Sequence, residues 1–369
     1  MSADQEIDTL VIGGGVVGMS IAYGLARAGE RVRLLDEGDD AFRAARGNFG
    51  LVWVHGKGVG NPDYARWTMA AAYRWPKLAA DLEELTGVDV ELSQPGGLTM
   101  FLSERELEKR AADLMSIRQA LGEHYPFEVL NHEEVRAISP LIGPDVVGAI
   151  YGPLDGHVSP LRLLRGLFIG FKSRGGELVS AGQVKRIEHR FGEFTVHSEG
   201  ATHVAARIVL AAGLGNRELA PMVGLRAPIS PSRGQILVTE RMQPFLHHPT
   251  MHVRQTGEGV VQIGDSKEDV GFDDGTTVDQ IATIAQRASR LFPILSNANV
   301  VRAWGALRVM TSDGLPIYQA STSHPGAFLV TCHSGVTLAP MHAESLVSWM
   351  RGGIEPSDIQ TFKAERFDV

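Results

Sequence analysis

Three glycines near the N-terminus are the first residues whose spacing suggests chemistry. Gly13-Gly14-Gly15-Val16-Val17-Gly18 follows an apolar run at residues 8–12 and opens a segment of helical composition at 19–28, closed by Gly29. Residues 31–35 read as a second strand, and Asp36 stands at its end, eighteen positions beyond Gly18. This is a β-turn-α-β unit, in which two parallel strands are joined by a crossover helix. Within it Gly13 permits the tight turn, Gly15 presents no side chain to a pyrophosphate, and Gly18 lets helix and strand pack closely. The helix N-terminus, at Val16 and Val17, offers N–H groups and a positive end to an anion. Asp36, with Glu37 beside it, is placed to accept hydrogen bonds from ribose hydroxyls. A dinucleotide is expected, and the loop alone leaves FAD and NAD both open.

The rest of the chain narrows the chemistry by what it lacks. It shows no metal-ligand spacing, no serine triad and no phosphate-loop lysine. Cys332 is the single cysteine, which excludes an internal disulfide and a cysteine-ligated cluster built from this chain alone. Thirty-five basic against forty-three acidic residues give a net charge of −8, which argues against nucleic acid or an anionic membrane as the main partner. No apolar run approaches the roughly 18–20 residues that span a bilayer. The start, Met-Ser-Ala-Asp-Gln-Glu, lacks the positive region of a signal peptide, so a cytoplasmic location is the expectation.

The elements that must position these residues follow from patterning. A chain of 369 residues exceeds one small core and suggests two domains. Segments 67–85, 104–122, 161–173, 277–292 and 337–350 read as helices, the third capped by Ser159 with Pro160 in its first turn. Segments 204–212, 228–239, 260–264, 301–309 and 328–331 read as strands. The expected fold combines α/β and α+β parts. A Rossmann-like dinucleotide domain is assembled from residues 1–83, 153–224 and 306–369, and a sheet-rich substrate domain from 84–152 and 225–305.

Further motifs, in order and spacing, resemble those of the D-amino-acid oxidase, glycine oxidase and sarcosine oxidase family of flavoproteins. Gly47-Asn48-Phe49-Gly50 is similar to the small-residue segment along the FAD pyrophosphate, and the strand ending Ala211-Ala212-Gly213 to the one that closes the FAD site. Val184 falls where such proteins hold the adenine with a backbone strand. Ser230-Pro231-Ser232-Arg233-Gly234-Gln235, the stretch 304–316 and His333-Ser334-Gly335-Val336-Thr337-Leu338-Ala339-Pro340 resemble further elements of the family. Residues 47–58 look most like the B subunits of opine oxidases, with hydroxyproline dehydrogenase and hydrogen cyanide synthase subunits also similar.

The resemblance implies a glycine oxidase-like fold, non-covalent FAD, and hydride removal from the carbon beside an amine nitrogen. The helix beginning near Gly335-Val336-Thr337-Leu338, just after Ser334, would supply backbone N–H donors and a positive helix end to the flavin ring. Arg308 would grip the substrate carboxylate, since a guanidinium fork matches it in two parallel hydrogen bonds. His252 falls at a substrate-facing position, and Arg254, two residues on, would meet a second carboxylate from the same strand face. His55 and Lys57 would approach the flavin. Gln262 stands where sarcosine oxidases carry an oxygen-activating lysine, so a dehydrogenase is expected rather than an oxidase, with a companion subunit carrying further redox cofactors.

Overall fold

The computed structural model describes residues 6–38, 44–180, 182–264 and 266–368. Residues 1 to 5, on which the reading of the N-terminus chiefly rested, lie outside them. Among the described residues eight strands form one sheet, whose main path runs Ile317–Ala320, Ala327–Thr331, Ala201–Leu210, Ile7–Ile12, Val32–Asp36, Glu177–Ser180. The pairings from Ala327–Thr331 to Glu177–Ser180 are parallel. Ile7–Ile12 sits at the centre and is almost wholly buried, because a parallel strand is covered on both faces. Three separated stretches of chain thus build a single sheet.

On one face pack the helices Val16–Arg27, Pro160–Ser173 and Pro62–Thr86 with the C-terminal helical segment. Gly24 is a contact point, since a Cβ there would overlap the carbonyl of Ala343. Pro62–Thr86 begins five residues before the expected start, because the Asn61 side chain accepts from Tyr64 N–H (3.1 Å) and Pro62 fits the first turn. The last helix begins later than expected. Residues 335–338 form a turn, followed by Ala339–Met341, a π-helical step at His342–Leu346, and Val347–Met350.

The second region contains an antiparallel sheet in the order Val253–Gln255, Val260–Ile263, Ser230–Arg241, Val300–Met310. Beside it lies a three-stranded sheet of Gly97–Phe101, Gly148–Gly152 and Glu128–Asn131. Leu98 ties the two together, its N–H donating to Pro249 O (3.0 Å). Val300–Met310 runs unbroken across the division expected at 305/306, held against Ser230–Arg241 along its length. This long strand carries the second region's register directly up to the first.

Candidate functional site

The glycine loop folds as its spacing requires. Gly13 has φ +109°, and a Cβ there would overlap the backbone of Ala211 on the neighbouring strand. A Cβ on Gly18 would overlap the carbonyl oxygen of Gly13. Gly15 differs, having nothing nearer than Ala45 Cβ at 3.8 Å, so its side stays open. The first intrahelical bond runs from Met19 N to Gly15 O (2.8 Å), leaving the N–H groups of Val16, Val17 and Gly18 as first-turn donors. Asp36 accepts from Gly14 N–H (2.7 Å) and Gly38 N–H (3.1 Å), which fixes the loop to the end of the second strand.

Of the loop, Gly13, Gly14, Gly15, Val16 and Val17 wall a cavity of about 1160 Å³. Asp36, Glu37, Asn48, Val184, Ala212, Gly213, Gly335 and Val336 also line it. Val184 lies in coil ahead of Arg186–Arg190, not in the strand expected; the adjacent Lys185 N–H donates to His197 O (2.9 Å). The buried Asn216, which sequence reading missed, accepts from Ala212 N–H (3.0 Å) and donates to Leu210 O and Val330 O (3.4 Å each). It pins the strand ends beneath the cavity floor.

A second cavity, of about 420 Å³, adjoins the first. Ala44, Asn48, Val309, Cys332, His333 and Val336 line both. Gly47 and Phe49 face the smaller one, as do Ser334 and Thr337. Three expected cofactor contacts face neither, Gly18 among them, packed against the carbonyl of Gly13. Gly50, at φ +87°, is covered by Val158 and Arg254, and Leu338 is fully buried in the core.

Arg308 does line the smaller cavity. Its Nη1 donates to the carbonyl oxygens of Arg233 (3.2 Å) and Ser266 (2.8 Å), and its guanidinium fills the space that a Cβ on Gly234 would need. Lys57 lines it too, donating to Ser334 Oγ (2.7 Å), which also accepts from Tyr64 Oη (2.9 Å). Burial draws the Lys57 pKa down to about 8, with repulsion from Lys267 and Arg110 adding to the effect. Burial, and then the nearby Lys57, Arg308 and Lys267, push His333 well below the usual histidine range, so it is neutral.

His55 reaches the same cavity but is committed on both ring nitrogens. Nδ1 pairs with Asp155, and Nε2 with Thr99 Oγ1 (2.5 Å). Asp155 is fully buried and also accepts from the N–H groups of Val54 and His55. A carboxylate held in this way fixes the ring's orientation. Asp155 was not singled out from sequence, where Gly152-Pro153-Leu154-Asp155-Gly156 has the composition of an ordinary turn. Arg110 and Lys267 also line the cavity and were likewise missed.

The two residues expected on one substrate-facing strand face are elsewhere. His252 lies in the bend before Val253–Gln255, so the two-residue period does not link it to Arg254, and its neighbour Met251 faces the cavity instead. Burial lowers the His252 pKa to about 3, and its Nδ1 has no partner among the described residues. Arg254 is buried behind the cavity, donating to Gln262 Oε1 (2.8 Å) and Val158 O (2.9 Å) and touching His157 Nδ1 (2.9 Å). It braces the strand against the segment carrying Gly50 and leaves no fork for a ligand. Gln262 is turned to Arg254 and lines neither cavity, whereas Lys57 and Lys267 do line the smaller one.

Residues 8–349 match the family described as FAD dependent oxidoreductase. The chain belongs to that family. It is 46% identical over 363 residues to the B subunit of opine oxidase from Agrobacterium tumefaciens (strain Ach5), covering 98% of each chain. To the corresponding B subunit of opine oxidase from Rhizobium meliloti it is 44% identical over 365 residues, covering 99% of this chain and 98% of that one. In fold it is similar to the crystal structure of glycine oxidase from Geobacillus kaustophilus, with a TM-score of 0.90, 23% identity and coverage of 97% and 98%. The mixed architecture expected from sequence is thus shown. The protein is an FAD-dependent oxidoreductase acting on amino-acid or amine C–N bonds.

The residues present fit FAD. Gly15 leaves the helix N-terminus uncovered by any Cβ, and the larger cavity carries Asp36 and Glu37 as well as residues of the 335–338 turn. Among the described residues no backbone acceptor takes the N–H groups of Gly335, Val336 or Thr337, so that turn has donors to give. No helix of the described residues is long and apolar enough to cross a membrane.

Proposed function

We propose that the chain oxidises the C–N bond of an opine, an amino acid whose nitrogen carries a second, carboxylate-bearing substituent, and does so alongside a companion chain. The observation that supports this best is the smaller cavity, which shares a wall with the cofactor cavity and holds the Arg308 guanidinium. The full-length likeness to two proteins named as B subunits of opine oxidase supports the same substrate class, and their being named as subunits supports a companion.

FAD bound in the larger cavity supplies the acceptor for the hydride carried by the carbon next to nitrogen. The chain's own residues orient and select. Arg308 offers a fixed guanidinium to a carboxylate, with two of its hydrogen bonds already locked on backbone carbonyls. Phe49, Trp53, Ile236 and Met251 line the same space and exclude water. Lys57, held on Ser334, places a positive charge at the wall below pH about 8. The amine must be neutral for its lone pair to drive the hydride out, and the cation-rich wall favours that neutral form.

Anaerobic bleaching of the flavin tests the reading. Octopine or nopaline is expected to bleach the absorbance near 450 nm faster than glycine, sarcosine or D-hydroxyproline (oxidised flavins absorb at about that wavelength). Fast bleaching by one of the latter three with none by either opine would replace the substrate. Turnover with an artificial dye in the isolated chain, undiminished relative to the assembly, would remove the need for a companion.

A further inference from the structure

Four cationic side chains line the smaller cavity: Lys57, Arg110, Lys267 and Arg308. Among the described residues no carboxylate lines it. Two of the four are already engaged, Arg308 by backbone carbonyls and Lys57 by Ser334. Arg110 and Lys267 are not. Neither has a hydrogen bond or an ion pair among the described residues.

Elsewhere this chain supplies partners to arginines that have a structural task. Arg233, on the strand beneath the cavity, meets Glu268 (2.7 Å) and Asp273 (2.6 Å). Arg118 belongs to the same helix as Arg110, Glu104–Leu121, and donates to Tyr125 O (3.2 Å) and Phe127 O (2.6 Å). Arg110 is half-buried yet has no such acceptor. Its position is nonetheless built. The guanidinium lies where a Cβ on Gly56 would be, and Gly56 has φ +88°, so the backbone there favours glycine and the missing side chain leaves the guanidinium its place. Lys267 is exposed and lines the same cavity, so it stands at the rim. Among the described residues no acidic side chain lines the cavity beside these charges, and an anion bound there would offset their mutual repulsion.

We infer that Arg110 and Lys267 form a second carboxylate subsite, in the same cavity as the one at Arg308, which selects amines bearing a carboxylate on each nitrogen substituent over amines with one carboxylate. The inference rests on the proposed function for its substrate and reassigns the role expected of Arg254. Arg110 carries the larger share because it is half-buried, and a charge-assisted bond there is shielded from water.

The test uses the FAD-loaded protein and two probes that cannot be oxidised at a C–N bond, glutarate and butyrate, titrated by calorimetry and by perturbation of the flavin spectrum. Glutarate is expected to bind at least ~10-fold more tightly than butyrate. Arg110→Gln should remove most of that advantage while shifting butyrate by less than about twofold, and Lys267→Gln should remove roughly threefold of it. Arg110→Lys should restore part of it and serves as the second variant should the glutamine form not retain FAD. Equal binding of the dianion and monoanion probes by the unmodified protein would overturn the subsite, as would an Arg110→Gln protein that loses both probes equally. If neither opine bleaches the flavin but the glutarate advantage persists and depends on Arg110, the substrate named above is wrong and the subsite stands.

Discussion

The two adjoining cavities are built on opposite plans. The larger is made by backbone: glycines that admit no Cβ, helix-start N–H groups, and strand ends pinned by Asn216. The smaller is made by side chains brought from distant parts of the sequence, with Arg110 on a helix, Arg308 on a strand, and Lys57 and Lys267 in two separate loops. A backbone-built site depends on shape and tolerates almost no added atom. A site built of side chains is specified by charge and by whatever holds each group still. The first should fail abruptly under substitution, the second by degrees.

The largest expected effects therefore fall on the glycine loop, and two neighbouring substitutions sharpen the contrast. Gly18→Ala sets a Cβ against rigid backbone and should cost about 3 kcal/mol of stability, read as a lowered melting temperature. Gly15→Val meets open space in the protein, so the chain should fold normally yet lose FAD affinity by roughly 100-fold or more, seen as a colourless preparation. A yellow, fully loaded Gly15→Val protein would break the assignment of that loop to the pyrophosphate.

Next comes Arg308→Ala, which should raise KM by roughly 100-fold, about 3 kcal/mol, with FAD retained. An unchanged KM would take Arg308 out of the site. Asp155→Asn should cost about 2 kcal/mol and lower the melting temperature, because the His55 ring loses its charged partner in a buried setting. A variant as stable as the parent would show the pair to be dispensable for packing. The smallest effect is Lys57→Met. The lysine is charged below pH about 8 and neutral above it, so the parent should lose activity on the alkaline side as that proton leaves. The variant should be a few-fold slower and lack that limb; an identical alkaline limb would assign it to another group.

How much of this was legible in the sequence tracks the same division. The glycine loop with Asp36 was readable because its parts are contiguous and each spacing has one physical cause. The long strands Ser230–Arg241 and Val300–Met310 were readable because strand-forming residues recur over many positions in each. Gly97–Phe101, Glu128–Asn131 and Gly148–Gly152 were not, being short strands whose partners lie far along the chain. Arg110 looked like any solvated charge in Glu104-Arg105-Glu106-Leu107-Glu108-Lys109-Arg110, and only the fold shows that its side chain reaches a cavity. His252 was misplaced because the strand begins one residue later than the period assumed. Arg254 was misread because an arginine's partners, here a carbonyl and a glutamine, leave no mark in sequence.

Ala44, Asn48, Val309, Cys332, His333 and Val336 form a party wall between the two chambers. A bulkier side chain at any of these positions intrudes on both neighbours at once, so cofactor retention and KM should shift together there, whereas substitutions at Arg110 or Lys267, which border one chamber alone, should move KM by itself.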